Sequence, residues 1–276
     1  MCCAFGETAL VANEVREDPG YPEDSAGRLE LIWGDGFLSP GGPAEVSRIL
    51  RGKDITGCDV LDIGSGTGGV DIVLVRDHGA GTVIGIDVER RLIDLATARS
   101  QKLHLNGRIK YQVVDPGPLP FEDESFDVVF SKDAIIHVRE KESIYAEALR
   151  VLRPGGRLLV SDWLRGEGES VTPLVQDFIV ASGHDFTLVS LREIGEIVKK
   201  LGFVEIDLED RQAWYLKEAT AELEKMRGPL KHQFLERWGE KPTQDEITFW
   251  EVLVAALREG AMRPGHIRAM KPIGTR

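Results

Sequence analysis

Between residues 58 and 162, short apolar runs alternate with longer stretches whose apolar positions recur every three or four residues. The runs at 58–63, 82–86, 109–114, 126–130 and 157–162 predict strands, and the segments 69–78, 89–104 and 141–152 predict helices. In 89–104, Leu92, Ile93, Leu95 and Ala96 share one face. The helix at 141–152 is expected to stop at Arg153-Pro-Gly-Gly156, because proline and glycine break it. Short apolar strands separated by helices imply parallel pairing with both faces buried. The predicted fold class is therefore α/β, a Rossmann-like, doubly wound, mostly parallel seven-stranded sheet with a helical lid or insertion.

The pattern changes on either side of this block. Residues 163–187 are Gly-rich and then helical at 173–181, and Ser190-Leu-Arg-Glu193 is a capping box that opens a helix at 190–201. A strand at 203–208 precedes helical stretches at 213–227, 229–238 and 243–259, and 266–270 can supply a last strand. A helical block between two late strands predicts an insertion over the carboxyl edge of the sheet, where such folds bind ligands. Upstream, Leu29, Leu31, Ile32 and Trp33 lead into a second glycine cluster, Gly34-Asp-Gly-Phe-Leu-Ser-Pro-Gly-Gly42. It reads as a shaped loop before a helix at 43–50, with Pro43 in the first turn. The expected division is a lid over 1–50, a ligand-binding core over 51–165, and substrate-lid helices with the final strands over 166–276.

The chain appears organised around Val60-Leu-Asp-Ile-Gly-Ser-Gly-Thr-Gly-Gly69, a strand, a tight turn and a helix start. Glycines there let the backbone take positive φ and come close to a ligand. Free N–H groups at the helix start are expected to face the polar group held in the turn. The spacing alone leaves two ligands open. Gly64, Gly66 and Gly69 fit the dinucleotide pattern G-x-G-x-x-G, while Gly64, Gly66 and Gly68 after Asp62 fit the G-x-G-x-G turn of S-adenosylmethionine enzymes.

Composition narrows the partners. The 276 residues are 42% hydrophobic and 29% charged, with a net charge of −12, so a nucleic-acid partner, which requires a basic face, is not expected. No apolar run approaches a membrane span and no secretory pattern is visible, so the expectation is a cytoplasmic protein without a membrane partner. Cys2, Cys3 and Cys58 are odd in number and form no C-x-x-C pair, which suggests neither a disulfide framework nor a metal site.

The later motifs separate the two ligands. Asp87 ends the second strand and Asp115 the third; Pro118-Leu-Pro-Phe121 precedes Ser125-Phe-Asp-Val-Val129, and Leu152-Arg-Pro-Gly-Gly156 precedes the fifth strand. With the glycine turn, these make residues 58–162 similar to the core of class I S-adenosylmethionine-dependent methyltransferases. That resemblance implies S-adenosylmethionine as cofactor. It places Asp87 on the ribose hydroxyls with Val88 beside it, Gly64, Ser65 and Gly66 along the methionine part, Asp62 ordering the turn or meeting the ammonium, and Asp115 with Pro116 at the adenine.

A narrower resemblance is carried by Tyr21 with Leu31-Ile-Trp-Gly-Asp-Gly-Phe-Leu-Ser-Pro-Gly-Gly42, and by Ser131-Lys-Asp-Ala-Ile-Ile-His137. Both stretches resemble the phosphoethanolamine and sarcosine/dimethylglycine N-methyltransferases. The resemblance implies a catalytic set of Tyr21 and His137 as a latch and Asp133 as the amine anchor, with Ser39 and Ser131 beside the cofactor. Asp133 and His137 would share a face if that segment were helical. The implied reaction is methyl transfer to the nitrogen of a small amine, in a monomer or homodimer. The alternatives are an O- or S-methyltransferase or a non-catalytic binder of the same cofactor.

The substrate positions depart from the phosphoethanolamine pattern, in which tyrosines, an arginine and a lysine grip the phosphate. Trp163, Phe178, His184 and Phe186 stand there instead, and Leu29 occupies a tyrosine's place. This favours another acceptor: an amino acid, a methylated amine or a larger apolar amine. Trp163, Phe186, Tyr215 and Trp250 are candidates for a cation–π site.

Overall fold

All five strands expected between 58 and 162 form in the computed structural model, which describes residues 25–168, 171–184 and 186–274. They are β1 (Asp59–Ile63), β2 (Thr82–Asp87), β3 (Ile109–Val113), β4 (Phe126–Lys132) and β5 (Leu152–Asp162), joined by β6 (Val204–Asp210) and β7 (Gly265–Met270). The order across the sheet is β3-β2-β1-β4-β5-β7-β6. Strands β1 to β5 pair in parallel, and β7 runs antiparallel to both β5 and β6. Between β1 and β4 the strand order reverses, which opens a crevice at their carboxyl ends.

Alternating side chains serve two cores. Val60, Val83, Phe130 and Leu159 pack with α2 (Gly42–Leu50) and α3 (Gly69–Arg76), whereas Leu61, Ile63, Val129 and Leu158 pack with α5 (Lys141–Val151) and α7 (Leu191–Leu201). Each such buried aliphatic contributes roughly 1.5–3 kcal/mol. Helix α4 (Arg90–Lys102) buries Leu92, Ile93 and Ala96, while Leu95 is 42% exposed.

A third apolar layer is mainly helical. It joins α1 (Ser25–Trp33), α6 (Pro173–Ser182), α8 (Gln212–Arg227), α9 (Lys231–Trp238) and α10 (Glu240–Arg258). At its centre the buried Glu222 of α8 accepts hydrogen bonds from the indoles of Trp33, at 2.7 Å, and Trp250, at 3.0 Å. Burial raises the Glu222 pKa, and the two indole N–H groups oppose that rise. Trp250, expected as a candidate for a cation–π site, is fully buried here and belongs to this core.

Three expectations are corrected. The Arg153–Gly156 stretch does not lie outside the strand; β5 starts at Leu152. Register jumps from Phe126↔Leu152 to Val128↔Arg157, so the Pro-Gly-Gly segment is absorbed as a bulge with Gly155 at φ +80°. The third strand ends at Val113, two residues short of Asp115. Residues 133–137 are not one helical face: Asp133 is left-handed (φ 57°), and only Ile135–His137 forms a short 3-10 turn. The capping box at Ser190 and Glu193 is present in full.

Candidate functional site

The turn after β1 carries Gly64, Gly66 and Gly68 at φ +77°, +53° and +87°. A Cβ at Gly64 would lie 2.1 Å from the Ala134 Cβ, and one at Gly68 would lie 2.4 Å from the Tyr111 hydroxyl. Strand β4 thus continues into a segment pressed directly against the turn. The amides do not point outward as the motif alone implies. Gly64 and Ser65 N–H donate to the Ile86 carbonyl, Gly66 N–H to Asp87 Oδ2, and Gly69 N–H to the Gly36 carbonyl. Such a turn offers no cluster of free donors to a pyrophosphate.

Asp87 closes the second strand as expected, and it also holds the turn. Its Oδ2 takes the Gly66 N–H at 3.0 Å and its Oδ1 the Glu89 N–H at 3.0 Å. Burial raises its pKa against those donors. Beneath the turn lie two buried carboxyls. Burial pushes Asp62 up to about 7, and burial beside the Asp62 charge holds Asp71 well above the usual carboxylate range. Asp62 Oδ1 and Ser65 Oγ are enclosed without a hydrogen-bond partner. Beside a glycine cradle, these orphaned atoms suit a ligand bearing its own donors.

Both carboxyls titrate near 4 when unfolded and higher when folded, so the folded chain binds more protons between about pH 4 and 7. Stability from this pair is complete below the unfolded value and is lost as pH rises. One extra proton changes stability by about 1.4 kcal/mol per pH unit, or ~2–4 °C in Tm for a chain of this size. The Tm of the ligand-free chain should therefore fall from pH 5 to 7, and Asp71→Asn, which supplies a donor without titrating, should flatten that fall. Parallel slopes in the two proteins would remove the dyad as its cause.

The loop at 34–42 is laid over the turn. A Cβ on Gly36 would be 2.8 Å from Gly69 Cα, and the Leu38 Cδ1 is 3.1 Å from the Cβ position of Gly66. Glu30 of α1 accepts from Thr67 at 2.7 Å and from Arg99 at 2.8 Å, and Arg99 also bonds Asp35 and the Thr67 carbonyl. The stretch at 30–38 is therefore tied to the turn from both sides.

At the tip of β4, Lys132 and Asp133 form an ion pair of 2.8 Å whose side chains are each 1% exposed. Lys132 Nζ also donates to Ser39 Oγ at 2.6 Å. Asp133 Oδ1 accepts from Ser161 at 3.0 Å and from the buried Tyr215 hydroxyl at 3.1 Å. The Asp133 carboxylate is thus fixed by three side chains and does not cap a helix. Behind it, Asp162 takes the Ile136 N–H at 3.0 Å, and Lys141 donates to the Ile135 and Ile136 carbonyls, fixing the short turn that carries His137.

Asp133, Ser39 and Leu38 open onto a cavity of about 420 Å³ walled by α1, α6 and α10. Trp163, Phe178, His184 and Phe186 line it with Phe249. His137 meets Phe186 edge-on at 4.9 Å and His184 at 5.3 Å. Leu38 lies against the glycine turn and lines the cavity, and Ala134, which presses on Gly64, directly follows the cavity-lining Asp133, so the crevice and the cavity share a border.

This geometry can be compared with known proteins. The family model described as "Methyltransferase domain" matches residues 55–179, the span that holds the turn, Asp87, Asp133 and most of α6. Phosphoethanolamine N-methyltransferase 1 of Zea mays is 29% identical over 245 residues, covering 88% of this chain and 48% of the plant protein. The phosphoethanolamine N-methyltransferase of Plasmodium falciparum is 25% identical over 258 residues, covering 92% of this chain and 94% of the relative. Among solved structures, Haemonchus contortus phosphoethanolamine N-methyltransferase 2, in complex with phosphomonomethylethanolamine and S-adenosylhomocysteine, superposes with a TM-score of 0.82. It is 28% identical, and the match covers 90% of this chain and 58% of that one. The chain spans about half the length of the plant relatives it matches.

The expected site residues gather unevenly. Gly64, Ser65, Gly66, Asp62 and Asp87 surround the turn, and Ser39 and Asp133 meet through Lys132. Ser131 is fully buried, its hydroxyl committed to the Ile63 carbonyl at 2.8 Å. Val88 is 53% exposed, and Asp115 and Pro116 are exposed beyond the β3 tip. Tyr215 contributes its hydroxyl to Asp133, with its ring packed edge-on to Trp163 at 4.9 Å. Tyr21 lies outside the described residues. Lys132, Asp71 and Ser161 were missed. Charged residues inside otherwise apolar runs, Asp71 among 70–75 and Lys132 after 126–131, were the available signal.

Proposed function

We propose that the chain is an S-adenosylmethionine-dependent methyltransferase acting on the nitrogen of a small amine. The observation that carries this is the buried Asp133 carboxylate, held by Lys132, Ser161 and Tyr215 where the glycine crevice borders an aromatic cavity. The phosphoethanolamine N-methyltransferase relatives support nitrogen as the acceptor atom. Activity of this small-molecule kind, in the cytoplasm, without nucleic acid and as a monomer or homodimer, completes the reading. Among the described residues no helix is long and apolar enough to cross a membrane.

When bound, the cofactor supplies a methyl group on a sulfonium. On this reading Asp87 accepts from the ribose hydroxyls, Asp62 and Ser65 meet the amino-acid end, and Val88, Asp115 and Pro116 border the adenine, with Ser131 underneath. Asp133 orients the amine, His137 takes its proton, and Tyr21 closes over them. The nitrogen lone pair forms the new N–C bond while the S–C pair stays on sulfur, and the proton leaves through His137 to solvent. Alignment of donor and acceptor supplies most of the acceleration. The segment 1–50 and the helices of 166–276 act as lids that exclude water around the core at 51–165, while the final strands of 166–276 complete the sheet. Trp163, Phe178, His184, Phe186 and Tyr215 enclose the methylated cation.

Release of S-adenosylhomocysteine across a panel of amines tests the reaction. Asp87→Ala should weaken cofactor binding by about tenfold or more, equivalent to ~1.4 kcal/mol, because it removes charge-assisted acceptors and loosens the Gly66 amide. Calorimetric titration with S-adenosylmethionine reads this directly. Wild-type affinity in the variant would take the ribose away from Asp87.

A further inference from the structure

The cavity behind Asp133 restricts what kind of amine it can take. Two cationic side chains line it, and both already have carboxylate partners. Arg28 Nε donates to Glu246 Oε2 at 2.8 Å, with both side chains mostly buried. Lys241 meets Asp245 at 2.6 Å on the solvent side. At the mouth, Lys132 is held by Asp133 and Ser39. Among the described residues that line the cavity, each lysine or arginine already pairs with a carboxylate, Arg28 through its Nε. A phosphate drawn inside would lose its water without gaining the charge-assisted bonds that such a group needs.

Beside Ser182 and the imidazoles of His137 and His184, the wall carries a set of paired rings. Phe178 stacks on Phe186 with centroids 5.7 Å apart and 23° between planes, and it packs against Phe249 at 5.5 Å. A volume of about 420 Å³ lies within the roughly 300–1,000 Å³ range of sites for drug-sized ligands, and exceeds what an acceptor with a few heavy atoms fills. Asp133 and Glu246 add carboxylates, which attract an ammonium and repel a phosphate.

We infer, resting on the N-methyltransferase reading above, that the acceptor is an amine with an apolar body and no phosphate. Its nitrogen meets Asp133, and its aryl or alkyl body lies among Phe178, Phe186 and Phe249. The Arg28–Glu246 pair disfavours phosphorylated amines because the Glu246 carboxylate offsets the guanidinium charge that a phosphate would need.

Calorimetry on the full chain saturated with S-adenosylhomocysteine tests this with 2-phenylethylamine and phosphoethanolamine as probes. The aromatic amine should bind at least tenfold more tightly, and Phe249→Ala should weaken it about tenfold with cofactor affinity retained. Glu246→Gln, which uncovers Arg28, should strengthen phosphoethanolamine binding at least tenfold. Phosphoethanolamine binding as well as the aromatic amine, or unaltered by Glu246→Gln, would overturn the inference. A methylation assay on the same samples separates the two levels. Turnover of phosphoethanolamine at the higher kcat/KM defeats the apolar-amine assignment and leaves N-methyl transfer standing. Amines that bind but release no S-adenosylhomocysteine defeat the underlying reading.

Discussion

Asp133→Asn is expected to lower kcat by roughly 10²–10³-fold, within the range for loss of a positioned proton-transfer or orienting group, while cofactor affinity stays within about threefold. Asparagine preserves the side-chain volume and can still accept from Ser161 and Tyr215, so shape is not what changes. The charge is. Lys132, itself 1% exposed, would then lack its carboxylate, and an unpaired buried ammonium destabilises a protein by about 3–5 kcal/mol. The variant should therefore melt earlier as well as turn over slowly. Lys132→Met alongside it restores a neutral pair. If the double variant recovers Tm but not kcat, Asp133 acts on the amine. Recovery of both would reduce it to a partner for the lysine, and a large loss of cofactor affinity in Asp133→Asn would move it to the cofactor's side of the border.

Gly64→Ala should abolish measurable cofactor binding. Two costs combine at this position. Alanine at φ +77° sits in the left-handed region, unfavourable by about 1–2 kcal/mol, and its methyl would stand 2.1 Å from the Ala134 Cβ, an overlap that costs typically ~1–3 kcal/mol after relaxation. The relaxation is what harms function. Either the turn leaves β1, pulling the Gly64 and Ser65 amides off Ile86, or Ala134 retreats and takes Asp133 with it. Gly64→Ala combined with Ala134→Gly removes the overlap but keeps the φ penalty, so it should regain part of the affinity. Calorimetry on the wild type and both variants reads the series. Binding by Gly64→Ala within tenfold of wild type would show that the crevice tolerates a side chain there.

The sequence made the parallel core legible because its strands are continuous apolar runs and its breaks are glycines in fixed places. It made Asp87 legible because an acid at a strand tip is a local feature, and Asp133 through the resemblance of the stretch 131–137. It did not reveal what those acids touch. Asp133 meets Ser161 and Tyr215, which lie 28 and 82 residues away, and no local pattern specifies such pairings. Lys132 is adjacent in sequence, yet its role depends on Ser39, 93 residues earlier. The turn at 64–69 was read as offering its amides to a ligand. Its donors are instead consumed by Ile86, Asp87 and Gly36, because two neighbouring segments lie closer than spacing alone can reveal. The Pro-Gly-Gly stretch ends the preceding helix as its residues predict, but the strand starts earlier than 157 because the partner strand accommodates the stretch as a bulge.

The roof of the cavity is sewn from distant parts of the chain. Trp33 precedes every strand, Trp250 follows all but one, and both indoles hang on the single carboxylate of Glu222. A ceiling fastened through one shared peg cannot swing as two separate flaps. Breathing that admits an acceptor carries the leading helix with the late helices, or else breaks the Trp33–Glu222 bond.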